Sequence, residues 1–247
     1  MSGHSKWATI KRSKAKTDAA RGKVFTKIIR EIASAARIGG ADPTGNPRLR
    51  LAIDKAKAAN MPNDNVKRAI DKATGAGALA LEELTYEGFG PGGVAIIVEV
   101  LTDNRNRAIG EVRNLFEKGG GNLGASGSVA YMFKRKGSIS FEKAGLNEES
   151  LTMAAIDAGA EDIQTTETMV EVITTPEQFE AVRDALKAKG FIPTDAEVTM
   201  VADNNVKVTG EPAQKLMNLI NKLEEQDDIQ AVHANFDISD EEMEKLQ

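Results

Sequence analysis

Residues 138–201 read SISFEKAGLNEESLTMAAIDAGAEDIQTTETMVEVITTPEQFEAVRDALKAKGFIPTDAEVTMV. Short alternating or β-branched runs fall at Ser138–Phe141, Asp162–Thr165, Met169–Thr174 and Ala196–Val201, with helical spacing over 147–158 and 176–189. The order β-α-β-β-α-β predicts a ferredoxin-like unit, two βαβ halves in one sheet. Upstream, Glu83–Phe89 and Val94–Leu101 read as strands joined at Gly90-Pro91-Gly92-Gly93; a helix over about 104–118 and a strand Val129–Lys134 follow. Downstream come a strand Val206–Val208, a helix 211–225 and a strand Ile229–Phe236. An isolated βαβ piece cannot cover both faces of its sheet. The flanking pieces are therefore expected to close around the middle one, with sequential packing of separate pieces as the alternative.

Nearer the N-terminus the period is helical. Val24, Phe25, Ile28, Ile29, Ile32 and Ala36 form one stripe that ends at Gly39-Gly40. Leu49, Ala52, Ile53 and Ala56 mark a second helix over about 48–60. Met61-Pro62-Asn63-Asp64 breaks the chain before a third, with Val66, Ile70 and Ala73 inward. The fold class expected is α+β: an N-terminal three-helix domain followed by two ferredoxin-like α/β domains, one inserted into the other. The boundaries are 1–78 for the helices and their polar arm, 79–136 with 203–247 for a discontinuous α/β domain, and 137–202 for the insert.

Composition narrows the chemistry. The 247 residues are 41% hydrophobic and 28% charged, an ordinary globular balance. Cysteine is absent, and His4 and His233 are the only histidines, which removes thiol chemistry, disulfides and a His-rich metal centre. Neither a cofactor nor a metal is expected. No apolar run of about 18 residues occurs, so no transmembrane helix and no membrane partner are expected. The N-terminus lacks a secretory signal's apolar stretch, and its Lys-rich, acid-free first 17 residues resemble a transit peptide only in charge. The basic character continues into the helices, and a cytoplasmic monomer is the expectation.

The formal net charge of −5 hides a division. Residues 1–75 hold 17 Lys and Arg against 6 Asp and Glu, while residues 138–247 hold 8 against 24. A basic module suggests a polyanionic partner. The alternative is that it sits against the acidic half of its own chain. At roughly 100° per residue, Lys23, Lys27, Arg30 and Arg37 share one arc of the first helix without an acid. A merely solvated face normally mixes signs, so a phosphate backbone is the expected counter-charge. Arg48, Arg50, Lys55, Lys57, Lys67 and Arg68 extend this field, and Lys6, Lys11, Arg12, Lys14 and Lys16 make a basic arm. Trp7 in that arm either stacks on a base or staples the arm to the helices.

Asp103-Asn104-Arg105-Asn106-Arg107 opens a helix, where an N-cap is the plain reading. Cations in a first turn oppose the helix dipole, so Arg105 and Arg107, with Arg113 two turns on, are candidate anion contacts. The glycines at 88–93 and 119–124 match no phosphate-loop pattern and read as a tight hairpin and a flexible connection. The carboxylates beyond residue 138 form no acid/base or metal arrangement; they read as a solvated face, or as a surface for a basic protein partner.

Gly3-His4-Ser5-Lys6-Trp7, Arg21-Gly22-Lys23-Val24-Phe25, Asn60-Met61-Pro62, Tyr86 to Ala95 and Thr102 to Arg107 together resemble the YebC family. The resemblance covers essentially the whole chain. It implies three domains, no cofactor, no catalysis, and association with nucleic acid, whether promoter DNA or the ribosome. Bacterial members are described as transcriptional regulators, and mitochondrial relatives as translational activators of cytochrome oxidase. The function expected is thus a non-enzymatic nucleic-acid-binding regulator of gene expression, with DNA as target. The alternative is a translation factor on ribosomal RNA. A protein-interaction adaptor and a carboxylate hydrolase are the rival classes.

Overall fold

The computed structural model describes residues 18–75, 80–166 and 168–245. Three helices come first: α1 Asp18–Gly39, α2 Pro47–Ala58 and α3 Asn63–Thr74. Their core is narrow because small residues build it. Ile32, Ala35 and Ala36 meet Leu49, Ala52, Ala56, Val66, Ala69 and Ala73. Asn46 joins the first two helices. Its side chain accepts from the Leu49 amide as the N-cap of α2 (3.1 Å), and donates to the carbonyls of Ala35 and Gly40 (2.8 Å each). Gly39 allows this approach, since a Cβ there would lie 2.6 Å from the Asn46 amide nitrogen.

The first sheet contains β1 Glu82–Phe89, β2 Ala95–Thr102, β3 Asn122–Leu123 and β9 Ile229–Ala234, in the order β3-β1-β2-β9 with antiparallel pairs throughout. Helices α4 Arg105–Lys118 and α7 Gly210–Glu224 cover one face. Strand β2 supplies apolar side chains to both faces. Ile96, Val98 and Val100 pack on Val112, Phe116, Leu216 and Ile220, while Ala95 and Ile97 point the other way, onto Val129 and Phe133. Burial on both faces explains the nearly unbroken apolar run of this strand.

The second sheet is formed by consecutive chain: β4 Phe133–Glu142, α5 Glu148–Ala158, β5 Asp162–Thr165, β6 Met169–Thr174, α6 Phe179–Ala188 and β7 Asp195–Ala202. Its order, β5-β6-β4-β7, and its antiparallel pairing are the ferredoxin-like arrangement. The chain then makes β8 Val206–Lys207, which pairs in parallel with β10 Phe236–Asp237, before α8 Asp240–Lys245.

Two sequence expectations need correction. Val129–Lys134 is not a strand of the first sheet; residues Ala130–Met132 form a 3₁₀ turn. Ser138–Phe141 is not a separate short strand either, because β4 runs unbroken from Phe133, four residues ahead of the expected boundary at 137. Gly137, within β4, allows a close contact. A Cβ there would stand 2.2 Å from Thr174 Oγ1 and 2.7 Å from the Phe179 ring.

Candidate nucleic-acid interface

The acid-free arc of α1 is not uncompensated. Lys27 Nζ donates to the Glu224 carbonyl at 2.5 Å, at the C-terminal end of α7 where the helix dipole favours a cation. Arg30 reaches the Leu101 carbonyl (3.2 Å), the Asp227 carbonyl (3.0 Å) and the Asp228 carboxylate. The expectation that these two cations await a phosphate is therefore corrected. Most of their counter-groups come from residues almost 200 positions away (separation 197 for Lys27–Glu224), and the Leu101 carbonyl from 71 away, which a same-helix test of sign cannot detect. Arg37 is exposed and points at the Leu81 carbonyl, 3.5 Å away; Lys23 is exposed.

The α2 cations follow the same rule. Arg48 holds Glu31 (2.7 and 3.1 Å) and Glu83 (2.6 Å), and Glu31 foremost pushes its guanidinium further above its ordinary range. Burial would raise the Glu83 carboxyl, but Ser34 and Arg48 outweigh it and hold it below the usual range. Arg50 makes a two-pronged contact with Glu180 (2.9 and 3.3 Å) and donates to the Pro43 and Thr44 carbonyls. Lys55 pairs with Glu197 at 2.8 Å. The free-field reading of Arg48, Arg50 and Lys55 is corrected on these contacts. Lys57 has only a loose 3.7 Å pair with Asp54 and stays largely exposed. Lys67 is exposed, and exposed Arg68 bonds Asn65 and the Asp64 carbonyl of its own helix.

The Thr102–Arg107 turn is an interior joint. Asn104 caps α4 by accepting from the Arg107 amide at 3.0 Å. The Arg107 side chain turns back to Asp103 (2.8 Å) and Asp228 (2.7 Å), so its reading as an anion contact is corrected. Asp228, 6% exposed, also accepts from Thr102 Oγ1 at 2.9 Å. Burial would raise this carboxyl, yet Arg107, Arg30 and Thr102 together keep it below the ordinary aspartate range. Arg105 and Arg113 remain exposed on α4. Sequence reasoning missed Glu87 as well. Buried on β1, it accepts from the amides of Gly127 (2.7 Å), Val129 and Ala130 (2.8 Å each), which fixes the glycine-rich connection. An acid among the strand's apolar neighbours was the available signal.

Lys6, Trp7, Lys11, Arg12, Lys14 and Lys16 lie outside the described residues. Among the described residues, no group of three or more His, Cys, Asp or Glu is placed to hold a metal ion, and no helix is long and apolar enough to cross a membrane. Among the described residues, the exposed cations of the helical region are Arg21, Lys23 and Arg37 on α1, Lys55 and Lys57 on α2, and Lys67, Arg68 and Lys72 on α3.

Residues 5–76 match the family model described as the TACO1/YebC protein N-terminal domain, and residues 81–236 match the TACO1/YebC second and third domain. The chain belongs to the TACO1/YebC family. It is 54% identical over 247 residues to a probable transcriptional regulatory protein of Geotalea uraniireducens, with all of both chains covered. A Treponema denticola protein of the same description is 56% identical over 239 residues, covering 96% of this chain and 97% of its own. Among solved structures, a conserved hypothetical protein from Aquifex aeolicus is similar to this TACO1/YebC protein with a TM-score of 0.84. That pair is 48% identical over 92% of this chain and 94% of the other.

Proposed function

We propose that this TACO1/YebC protein is a non-enzymatic, nucleic-acid-binding regulator of gene expression, with DNA as its target, acting as a cytoplasmic monomer. The observation carrying this reading is the excess of 17 cations over 6 acids in residues 1–75, of which Lys23, Lys57, Lys67 and Arg68 stay at the surface after the interior pairs form. The basic arm residues Lys6, Lys11, Arg12, Lys14 and Lys16 add to that charge, with Trp7 beside them. The names of the bacterial relatives support the regulatory part. Phosphate contacts position a protein without reading bases, and among the described residues no set of Arg, Asn or Gln stands at defined helical positions to read them. Weak sequence preference is therefore part of the proposal.

We also propose that the helices, the first sheet with its returning C-terminal strands, and residues 133–202 are the three domains. The acidic surface of the last is a docking face for a basic polypeptide. Arg105 and Arg113 are secondary anion contacts.

Salt titration of binding, followed by fluorescence anisotropy on duplex DNA and on folded RNA, tests the function. Engagement of about five phosphates gives a log–log slope near roughly −4.5 on duplex DNA. The triple variant Lys57→Glu, Lys67→Glu, Arg68→Glu should weaken every sequence alike. A flat slope removes the reading, and markedly tighter binding to RNA at equal salt transfers it to the translation alternative.

A further inference from the structure

The connection between β3 and β4 holds an aromatic ring in solvent. Among the described residues, Tyr131 is the one aromatic side chain left exposed, at 71%. A single exposed ring calls for no explanation by itself, but this one is braced from three directions. Val129 and Phe133, two residues before and after it, are buried with Ala95 and Ile97 on the back of the first sheet. The 3₁₀ turn between them closes through the Met132 amide on the Val129 carbonyl (2.9 Å), and the Met132 carbonyl accepts from the Asp203 amide (2.9 Å). The buried Glu87 carboxylate takes the amides of Gly127, Val129 and Ala130. Burying a carboxylate is costly unless its oxygens are bonded, and here the bonds go to the stretch that carries Tyr131.

The surroundings of the ring along the chain are polar and cationic. From Gly119 to Phe141 there is no acid, and there are three cations, Lys134, Arg135 and Lys136. Lys136 is occupied by Glu161 at 2.5 Å. Lys134 pairs with Asp203 at 3.0 Å yet keeps 62% of its side chain exposed, and Arg135 is exposed with Glu99 in electrostatic reach. Neighbours along a strand project to opposite faces, so Lys134 and Arg135 flank the start of β4 on its two sides, three and four residues from the ring. The exposed aliphatic side chains belong elsewhere: Val24 and Ile38 to α1, Met153 and Ile156 to α5, and Ile192 to the segment after α6. A protein hot spot is a well-packed cluster within a patch that excludes water. A lone ring among cations instead suits a nucleic-acid strand, whose bases stack on the ring while its phosphates meet the charges.

We propose that Tyr131 is a stacking platform for an unpaired base of the bound nucleic acid, with Lys134 and Arg135 beside the adjoining phosphates. The inference rests on the nucleic-acid reading above and deepens it, because it names unpaired nucleotides as part of the ligand. Every base has a π-face, so stacking tolerates sequence, in keeping with weak sequence preference. The turn is fixed before binding, which keeps the ordering cost of the contact low.

The full chain is titrated at low salt, by fluorescence anisotropy, with a blunt DNA duplex and with single strands of about ten nucleotides, one of DNA and one of RNA. Tyr131→Ala should weaken single-strand binding about fivefold or more and leave duplex binding unchanged. Tyr131→Phe and Tyr131→Trp should retain the single-strand affinity, whereas Tyr131→Leu, apolar but without a π-face, should lose it. A 2-aminopurine in the strand should be quenched by the unmodified chain and not by the Tyr131→Ala protein. Because the ring is exposed, all four variants should melt with the unmodified chain in circular dichroism. The tighter of the two single strands identifies the source of the base. Duplex binding without single-strand binding, a single-strand affinity unmoved by Tyr131→Ala, a Leu variant equal to the Phe variant, or duplex binding lowered in step would each overturn the inference and leave the nucleic-acid reading standing. Failure of the unmodified chain to bind any of the three probes would remove both.

Discussion

Asp228 receives Arg30, Arg107 and Thr102, and so ties the first helix, the start of α4 and the approach to β9 at one carboxylate. Removing it deprives buried Thr102 and the partly exposed Arg30 and Arg107 of a shared acceptor, which costs more than a single pair contributes. Asp228→Ala should lower the unfolding free energy by about 2–3 kcal/mol in urea denaturation. Glu87→Gln is a subtler test. One oxygen accepts from Gly127 and the other from Val129 and Ala130, so an amide group must turn an N–H toward at least one backbone N–H. A loss of about 2 kcal/mol is expected in the same assay. Both carboxyls are held below their ordinary values in the folded chain. Their contribution is thus complete above the unfolded-state range of about 4 and is lost as pH falls through the lower folded values. Stability measured against pH should stay level with respect to these groups down to about pH 4 and decline below it, less steeply in the Glu87→Gln protein.

At the scale of elements, Gly137 is the sharpest position. Gly137→Ala places a methyl group against Thr174 Oγ1 and the Phe179 ring, and an overpacked site of this kind should cost about 1–3 kcal/mol, seen as a lowered melting temperature. Gly145, whose Cβ would meet nothing within 4 Å, has a positive φ of 77° and resists substitution for another reason. Helices and strands were legible in the sequence because their periods are carried by residues such as Ile28, Ile32 and Ala36, or Val170 and Val172. The expected end of one strand at Lys134 and start of another at Ser138 fell inside β4, where Gly137 serves close approach, and a glycine of that kind looks the same in one dimension as one in a turn. The cations misled for a related reason. Lys23, Lys27, Arg30 and Arg37 do share an arc, but the groups that meet Lys27 and Arg30 are main-chain carbonyls and one carboxylate, most of them from residues 224–228. Carbonyl acceptors have no sequence signature at all.

For the whole molecule, the opposed charges of the two halves are partly spent on each other: Arg30 on Asp228, Arg50 on Glu180 and Lys55 on Glu197. Raising salt should therefore weaken two things at different rates. Exposed phosphate contacts follow the steep counter-ion law, while the partly buried internal pairs are screened less. Between about 50 and about 500 mM salt, the melting temperature should move little over a range that abolishes the proposed DNA binding.

Strand β2 finds its neighbour β9 only across the intervening second sheet, with Ile96 opposite Ala234 and Val98 opposite Val232. A ribosome releases those partners last. The second sheet, whose strands follow one another in the chain, can settle while the first sheet still lacks an edge, and until Ile229–Ala234 emerges the apolar flank of β2 has no mate. Newly made chains should thus pass through a stage in which one half is already protected and the other still depends on being kept from its neighbours.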